Sequence, residues 1–232
     1  MNHEGHDRLS GTMFAGRIEL YEWLPSTIDA CRALADAGAP EGVVVLARAQ
    51  SAGRGQRGNS WFSPEGGGLY LSALLRPPFG PQDLPILPLV VGVAACEALR
   101  EEFGLSAWMK HPNDLLVPRD GTWWKIGGLL VDSAVQGDDR RHAIVSLGLN
   151  CANPAGGFPP EIADLATSLR ELGVSATADD VADAFLARLA AWRRAMDEQP
   201  QRWMAHVRAR HDALLREVAP GQAVDPAESW LR

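Results

Sequence analysis

Cysteine is scarce in this chain and badly placed for a framework: Cys31, Cys96 and Cys151 are odd in number, far apart and in no Cys-x-x-Cys arrangement. That argues against a disulfide-stapled scaffold and a cysteine zinc site, and suits a reducing, cytoplasmic setting. Long apolar runs are missing too. No stretch reaches the ~18 residues that a membrane span needs, and residues 1–16 lack the apolar core of a secretory signal. A loose, unprocessed N-terminus over 1–16 and no membrane partner are therefore expected. Excess positive charge is absent, with 22 Lys and Arg against 29 Asp and Glu and a net charge of -7, the opposite of a general nucleic-acid binder. No Gly-Lys-Ser or Gly-Lys-Thr closes a glycine loop, which argues against a P-loop. Internal repeats and low-complexity linkers are also lacking. What is present is 232 residues with 46% hydrophobic content, enough for one large domain with a sizeable core.

Periodicity gives the chain an α+β character. Residues 17–23 read as a strand, after which Ser26 or Thr27 caps a short helix that buries Cys31, Leu34 and Ala35 and stops at Gly38. The run 43–47 is continuously apolar and β-branched, as in a strand covered on both faces. A glycine-rich segment over 53–68 follows, and strand character resumes over 69–75. A helix is predicted over 84–103, with Pro85 and Pro88 in its ragged start and Leu89, Val93, Cys96 and Leu99 on its core stripe. Extended segments over 108–117, 125–132 and 143–150 suit a meandering sheet. Helical spacing returns with Val181, Phe185, Leu186, Leu189 and Trp192 after a cap at Thr177 or Asp179, and again with Trp203, Val207 and Leu214.

The glycine-rich segment contains Gly53-x-Gly55-x-x-Gly58, a literal dinucleotide fingerprint, but that motif needs a helix opening in the loop. Asn59, Ser60, Pro64 and Gly66-Gly67-Gly68 follow instead. The better reading is a flexible loop that closes over an anionic ligand: glycines permit close backbone approach, and Arg54 and Arg57 offer guanidinium groups to phosphate or carboxylate oxygens. Next comes Lys110-His111-Pro112-Asn113-Asp114, a cation, an amide and a carboxylate around a proline. Lys125-Ile126-Gly127-Gly128 then places a lysine before two glycines in an apolar strand, where a bulge or a ligand contact is the usual reason. Gly148-Leu149-Asn150 ends the last strand on a polar side chain.

In this order and spacing, Ser26-Thr27, the Gly53–Trp61 loop with Ser63-Pro64, the Lys110–Asp114 hairpin, Lys125–Gly128 and Gly148–Asn150 resemble the catalytic domain of the biotin protein ligases over about residues 17–195. The resemblance implies that family's fold, a central mixed or antiparallel sheet with flanking helices, with the catalytic domain at 17–215 and an abbreviated C-terminal segment at 216–232. It implies ATP-dependent formation of biotinyl-5'-AMP and transfer of biotin to a lysine of a biotin carboxyl carrier protein. By the same resemblance Ser26, Thr27 and Gln50 meet biotin. Gly53, Arg54, Gly55, Gln56, Arg57 and Gly58 close over the adenylate, and Trp61 packs on adenine. Lys110, Asn113 and Asp114 stand near the phosphates and magnesium, Asn150 serves the nucleotide site, and Gly127 and Gly128 allow close approach. Lys125 touches both the biotin carboxylate and the α-phosphate. Lys125, Arg54 and Lys110 are the implied catalytic cations, Mg2+ is an implied cofactor, and no resident metal-ligand set is assigned.

Three positions depart from the family pattern: Ile28 where asparagine often follows Ser26-Thr27, Gln56 where the loop usually has arginine, and His111 where tryptophan is customary. The lost charge at Gln56 leads to an expectation of looser closure and some release of free adenylate. No helix-turn-helix domain fits within 1–16, so no operator DNA is expected as partner. The small barrel usual at the family's C-terminus is expected to be missing or shortened. A monomer or a homodimer fits equally. Two rival readings stand beside this one: a lipoate- or octanoate-activating ligase of the same superfamily, and a non-catalytic biotin or nucleotide sensor.

Overall fold

The computed structural model describes residues 7–78, 80–136 and 140–218. Its frame is a seven-stranded mixed sheet in the order β1-β2-β3-β7-β6-β5-β4, formed by β1 (Ile18–Leu24), β2 (Val44–Gln50), β3 (Gly68–Leu75), β4 (Trp108–Lys110), β5 (Asp114–Arg119), β6 (Thr122–Gln136) and β7 (Arg140–Asn150). Only β1 and β2 run parallel, joined across α1 (Thr27–Asp36); the other neighbours are antiparallel, and β4 to β7 form the expected meander. The α+β reading with flanking helices holds.

The alternation of β3 shows how the sequence makes two layers. Leu69, Leu71, Ala73 and Leu75 join the main core, while Leu74 belongs to a smaller cluster on the opposite face with Ile28, Cys31 and Ala35 of α1. The main core is closed by α2 (Leu87–Phe103), α4 (Ala178–Glu198) and α5 (Trp203–Val218), each burying its predicted stripe. Ser26 is the N-cap of α1, its hydroxyl accepting from the Ile28 N–H at 3.3 Å. Thr177 caps α4 in a reciprocal box with Asp180. Gly38, at φ 87, takes the left-handed turn that ends the α1 segment. All three cysteines are buried and free, and burial pushes each thiol up to about 12.

Two details differ from the sequence reading. Leu9 and Phe14 are fully buried in the main core, so the N-terminal stretch from Leu9 packs as part of the domain rather than hanging loose. The predicted helix over 84–103 splits into a 3-10 turn (Pro81–Ile86) and α2, because Pro85 and Pro88 cannot supply the amide hydrogens of a continuous helix. Residues 1–6, and the segment 219–232 where the shortened C-terminal barrel was expected, lie outside the described residues.

Candidate active site

The site lies on the α1 side of the sheet, where α1 stops covering it. There β3, β6 and β7 present Tyr70, Gly128, Leu130, Ser146 and Gly148 to a cavity of about 310 Å3. Its other walls are the start of α1, the glycine loop and the β4–β5 hairpin. A second cavity of about 820 Å3 adjoins it, between the glycine loop and the segment around the short helix α3 (Pro160–Ala163). Gln50, Ser60, Trp61, Asp114 and Lys125 line both.

Lys125 owes its place to a break in β6. The β5–β6 register matches Leu115 with Gly127 but Leu116 with Lys125, so one residue of β6 is extra, the bulge anticipated beside Gly127-Gly128. Pairing with β7 begins only at Gly127, and the backbone of Lys125 pairs instead with 165–167: its N–H donates to the Leu165 carbonyl at 2.7 Å and its carbonyl accepts from the Thr167 N–H at 2.9 Å. With the main chain fixed, the Lys125 ammonium reaches Asp114 at 2.5 Å and lies 5.6 Å from the Trp61 ring centroid. Both charged partners keep about a third of their side-chain surface exposed. At that exposure the pair contributes little to fold stability.

The two central glycines serve the tryptophan. Gly128 and Gly148 face each other across β6 and β7, and Trp61 lies over both: a Cβ at Gly148 would stand 2.5 Å from the indole Nε1, and one at Gly128 3.1 Å from the ring. Trp61 is thus a partition between the two cavities, and its buried Nε1 has no acceptor among the described residues. The loop that carries it is pinned at its base. Trp61 N–H donates to the Gly53 carbonyl at 2.8 Å, Gly55 N–H donates to the Asn59 carbonyl at 2.7 Å, and a single turn spans Gln56–Gly58 with Arg57 at φ 57 and Gly58 at φ 81. No helix opens there, which removes the dinucleotide reading of the glycines.

Gly53 has no room for a side chain, since a Cβ would come within 2.5 Å of the Trp61 carbonyl and 2.6 Å of the Ser63 hydroxyl. Gly53→Ala is therefore expected to displace the loop and lower turnover about tenfold, consistent with the ~1–3 kcal/mol usual for overpacking. Gly55→Ala, whose nearest neighbour is the Asn59 carbonyl at 3.3 Å, is expected to cost much less. Comparing the two variants in one steady-state assay checks this, and equal losses would contradict it.

Beneath the first cavity runs a chain of polar side chains in otherwise apolar strands. Ser146 and Ser72 hydroxyls meet at 2.8 Å, Ser72 donates to the Thr27 hydroxyl at 2.9 Å, and Gln50 Oε1 accepts from the Thr27 N–H at 2.8 Å. Gln50 Nε2 then donates to Ser63 at 2.9 Å, and Ser63 to the Trp61 carbonyl at 3.0 Å. Ser72, Ser146 and Ser63 were not among the residues picked from sequence. The signal was available: a serine in the middle of Leu69–Leu75 and another in Ala143–Leu149 interrupt buried strands, and buried hydroxyls require partners.

Of the sequence-selected residues, Thr27, Gln50, Arg54, Gly55, Gln56, Arg57, Trp61, Lys110, Asn113, Asp114, Lys125 and Gly128 line the first cavity. Gly53 and Asn150 line the second. Ser26, Gly58 and Gly127 line neither. Ser26 is a buried helix cap, Gly58 supports the loop turn, and Gly127 packs against Leu115 and the Gly148 carbonyl. Arg54 pairs across the mouth with Asp29 of α1 at 2.7 Å, and Asp29 also holds Arg32 at 2.8 Å. Asn150, buried at the end of β7, donates its amide to the Thr167 carbonyl at 3.0 Å. Ile28 and His111, two of the departures, both line the first cavity; burial and the nearby His211 hold the His111 imidazole below its ordinary range. Burial likewise raises the Tyr70 phenol, which donates to the Pro64 carbonyl at 2.9 Å. Among the described residues, no three His, Cys, Asp or Glu side chains gather as a metal site.

Two adjoining cavities with a shared cation suit the joining of two ligands, and known proteins place the arrangement. The sequence profile of the Biotin/lipoate A/B protein ligase family matches residues 22–150. The bifunctional ligase/repressor BirA of Bacillus subtilis is 36% identical over 151 residues, which cover 65% of this chain and 45% of that protein. The chain thus spans less than half the length of that relative. The biotin protein ligase from Aquifex aeolicus in complex with biotin and ATP matches with a TM-score of 0.64 at 30% identity, over 79% of this chain and 73% of that one. The biotin protein ligase of Leishmania major in complex with biotinyl-5-AMP matches with a TM-score of 0.66 at 27% identity, over 86% of this chain and 81% of that one. Because the profile covers more than half of the 232 residues, the chain belongs to the biotin/lipoate A/B protein ligase family.

Proposed function

We propose that this protein condenses biotin with ATP to biotinyl-5'-AMP and passes the biotinyl group to a lysine of a biotin carboxyl carrier protein. The observation that carries this reading is Lys125, a cation on the wall common to two cavities, one floored by hydroxyl and amide groups and the other walled by Phe62, Phe158 and Ile162. The first suits the polar head of biotin, and the second suits a nucleotide. A structure of a relative with biotin and ATP, and another with the joined product, support the pairing.

In the first step a carboxylate oxygen of biotin attacks the α-phosphorus, a new P–O bond forms, and pyrophosphate leaves. Two anions must approach, and negative charge grows on the phosphorus oxygens. Lys125 exchanges Asp114 for these oxygens, Arg54 exchanges Asp29, and Lys110 at the hairpin meets the departing pyrophosphate; each such contact is worth about 2–4 kcal/mol in a transition state. Asp114, with Asn113 beside it, offers the single carboxylate that a phosphate-bound Mg2+ commonly uses, and the ion would screen phosphate charge. In the second step the lysine amine of the carrier attacks the acyl carbon, the C–N bond forms, and AMP leaves. The glycine loop and Trp61 keep water from the mixed anhydride in the interval.

The catalytic unit of this reading is 17–215, with Leu9 to Gly16 packed onto it. This reading calls for neither nucleic acid nor a membrane as partner; the net charge of -7 supports the first part, and among the described residues no helix is long and apolar enough to cross a membrane. A cytoplasmic setting follows from where biotin carriers and reduced thiols coexist, and a monomer or homodimer serves the chemistry equally. Transfer of labelled biotin to a purified carrier domain tests the second step: label is expected on the wild-type carrier and absent when its acceptor lysine is changed to arginine. Label on both, or on neither, would count against specific transfer.

A further inference from the structure

We propose that Thr167 and Glu171, which line neither cavity, are positioning residues for the nucleotide half of the site, and this rests on the ligase reading. Thr167 is fully buried and hydrogen-bonded to both Lys125 and Asn150. Its N–H donates to the Lys125 carbonyl at 2.9 Å, and its carbonyl accepts the Asn150 side-chain amide at 3.0 Å. Both bonds depend on where the segment 165–169 lies, because that segment replaces β7 as the neighbour of Lys125 at the bulge.

The segment meets the sheet through an isolated bridge at Lys125 and a few main-chain bonds, and Glu171 braces it further. One carboxylate oxygen of Glu171 accepts from the Thr167 hydroxyl at 2.8 Å and from Arg119 at 2.9 Å, and the other accepts from the Asn153 amide at 2.7 Å. Arg119 also donates to the Thr167 hydroxyl at 3.3 Å and stacks over Trp124 at 4.9 Å, which ties the group to the β5–β6 hairpin. Ser168 bonds Asn153, and the Leu169 and Arg170 N–H groups donate to the Asn150 and Cys151 carbonyls. Burial acts against the Glu171 charge, yet Thr167, Asn153 and Arg119 together draw its carboxyl below the usual range, so the anion is the form the site is built for.

The consequence is selective. Asn150 and Ala166 line the second cavity and not the first, whereas Thr27 and Ser146, which floor the first, bond to Gln50 and Ser72 instead. Loosening the brace therefore falls mainly on nucleotide binding, since the acid pocket meets it through Lys125, whose main chain also bonds Leu165. A brace that merely held the fold together would affect both cavities and the melting temperature alike.

The test measures the KM for ATP in biotin-dependent ATP–pyrophosphate exchange and, separately, the Kd for biotin by calorimetry without ATP. Thr167→Val and Glu171→Gln are each expected to raise the ATP KM about tenfold, as loss of one charge-assisted hydrogen bond implies. The biotin Kd should stay within about twofold of wild type, and Thr167→Ser should recover the wild-type KM. An unchanged ATP KM in both variants, or equal shifts for ATP and biotin, would overturn the proposal. If Thr167→Val fails to fold, Glu171→Gln, whose carboxylate reaches the surface, decides alone. Wild-type protein without biotin-dependent exchange would sink the ligase reading and this proposal with it; exchange by wild type with unaltered variants would sink the brace only.

Discussion

Lys125→Ala is expected to lower biotin-dependent ATP–pyrophosphate exchange by about 100- to 1000-fold, the cost of removing one preorganised charge from a site where negative charge develops. The fold should survive. The backbone of Lys125 is held by Leu165 and Thr167 through main-chain bonds that alanine keeps, and the side chain is about a third exposed and salt-bridged to Asp114. Asp114 in the variant is left facing the site uncompensated, which adds repulsion toward both anionic ligands; Lys125→Ala combined with Asp114→Asn should therefore recover some ligand binding but not turnover. Lys125→Arg keeps the charge yet spreads it over a planar fork that cannot reproduce one ammonium contact, and partial activity is expected. The check is exchange rate together with a melting curve: a loss smaller than about tenfold, with the fold intact, would remove Lys125 from the centre of the chemistry.

The largest effect on stability is expected at Glu97→Ala, far from the site. Glu97 sits in α2 among apolar neighbours and is the point where three helices meet: its carboxylate accepts from Trp192 Nε1 of α4 at 2.9 Å and from Arg210 Nε of α5 at 2.7 Å. Glu217, near the end of α5, pairs with Arg100 of α2 and lies 3.5 Å from Arg210, extending the same network. Truncation leaves a buried indole N–H and a largely buried guanidinium without their acceptor, at a cost of about 3–5 kcal/mol. In a domain of this size that corresponds to roughly 6–20 °C in melting temperature. Glu97→Gln retains one acceptor and should lose about half as much. Thermal unfolding of the two variants beside wild type checks the ordering, and a Glu97→Ala midpoint within about 2 °C of wild type would contradict it.

Much of the fold could be read from local pattern because its elements are set by near neighbours. The strand over Leu69–Leu75, the helical stripe of Val181–Trp192 and the cap at Thr177, one of two candidates, all act within one or two turns of chain, and each appears where the sequence pattern puts it. The bulge before Gly127 was one of the two readings that its glycines offered. What escaped depends on contacts between distant residues. Nothing near Leu9 or Phe14 announces that they fill the main core. Glycines at 128 and 148 look like room for a ligand, and it takes the paired strands to show that the Trp61 indole uses that room. Thr167 and Glu171 carry no motif of their own; their importance comes from Lys125 and Asn150, which lie 42 and 17 positions away from Thr167. The site itself was more legible than its supports, since close approach to a ligand demands particular residue types while a brace can be built from many.

The measurement that bears most directly on the central claim is ATP–pyrophosphate exchange by the purified protein with biotin, lipoate or octanoate supplied in turn. Exchange with biotin, and little or none with the other two acids, is expected. Exchange that follows lipoate or octanoate instead would move the protein to the other branch of its family, and biotin binding with no exchange under any acid would make it a sensor rather than a ligase.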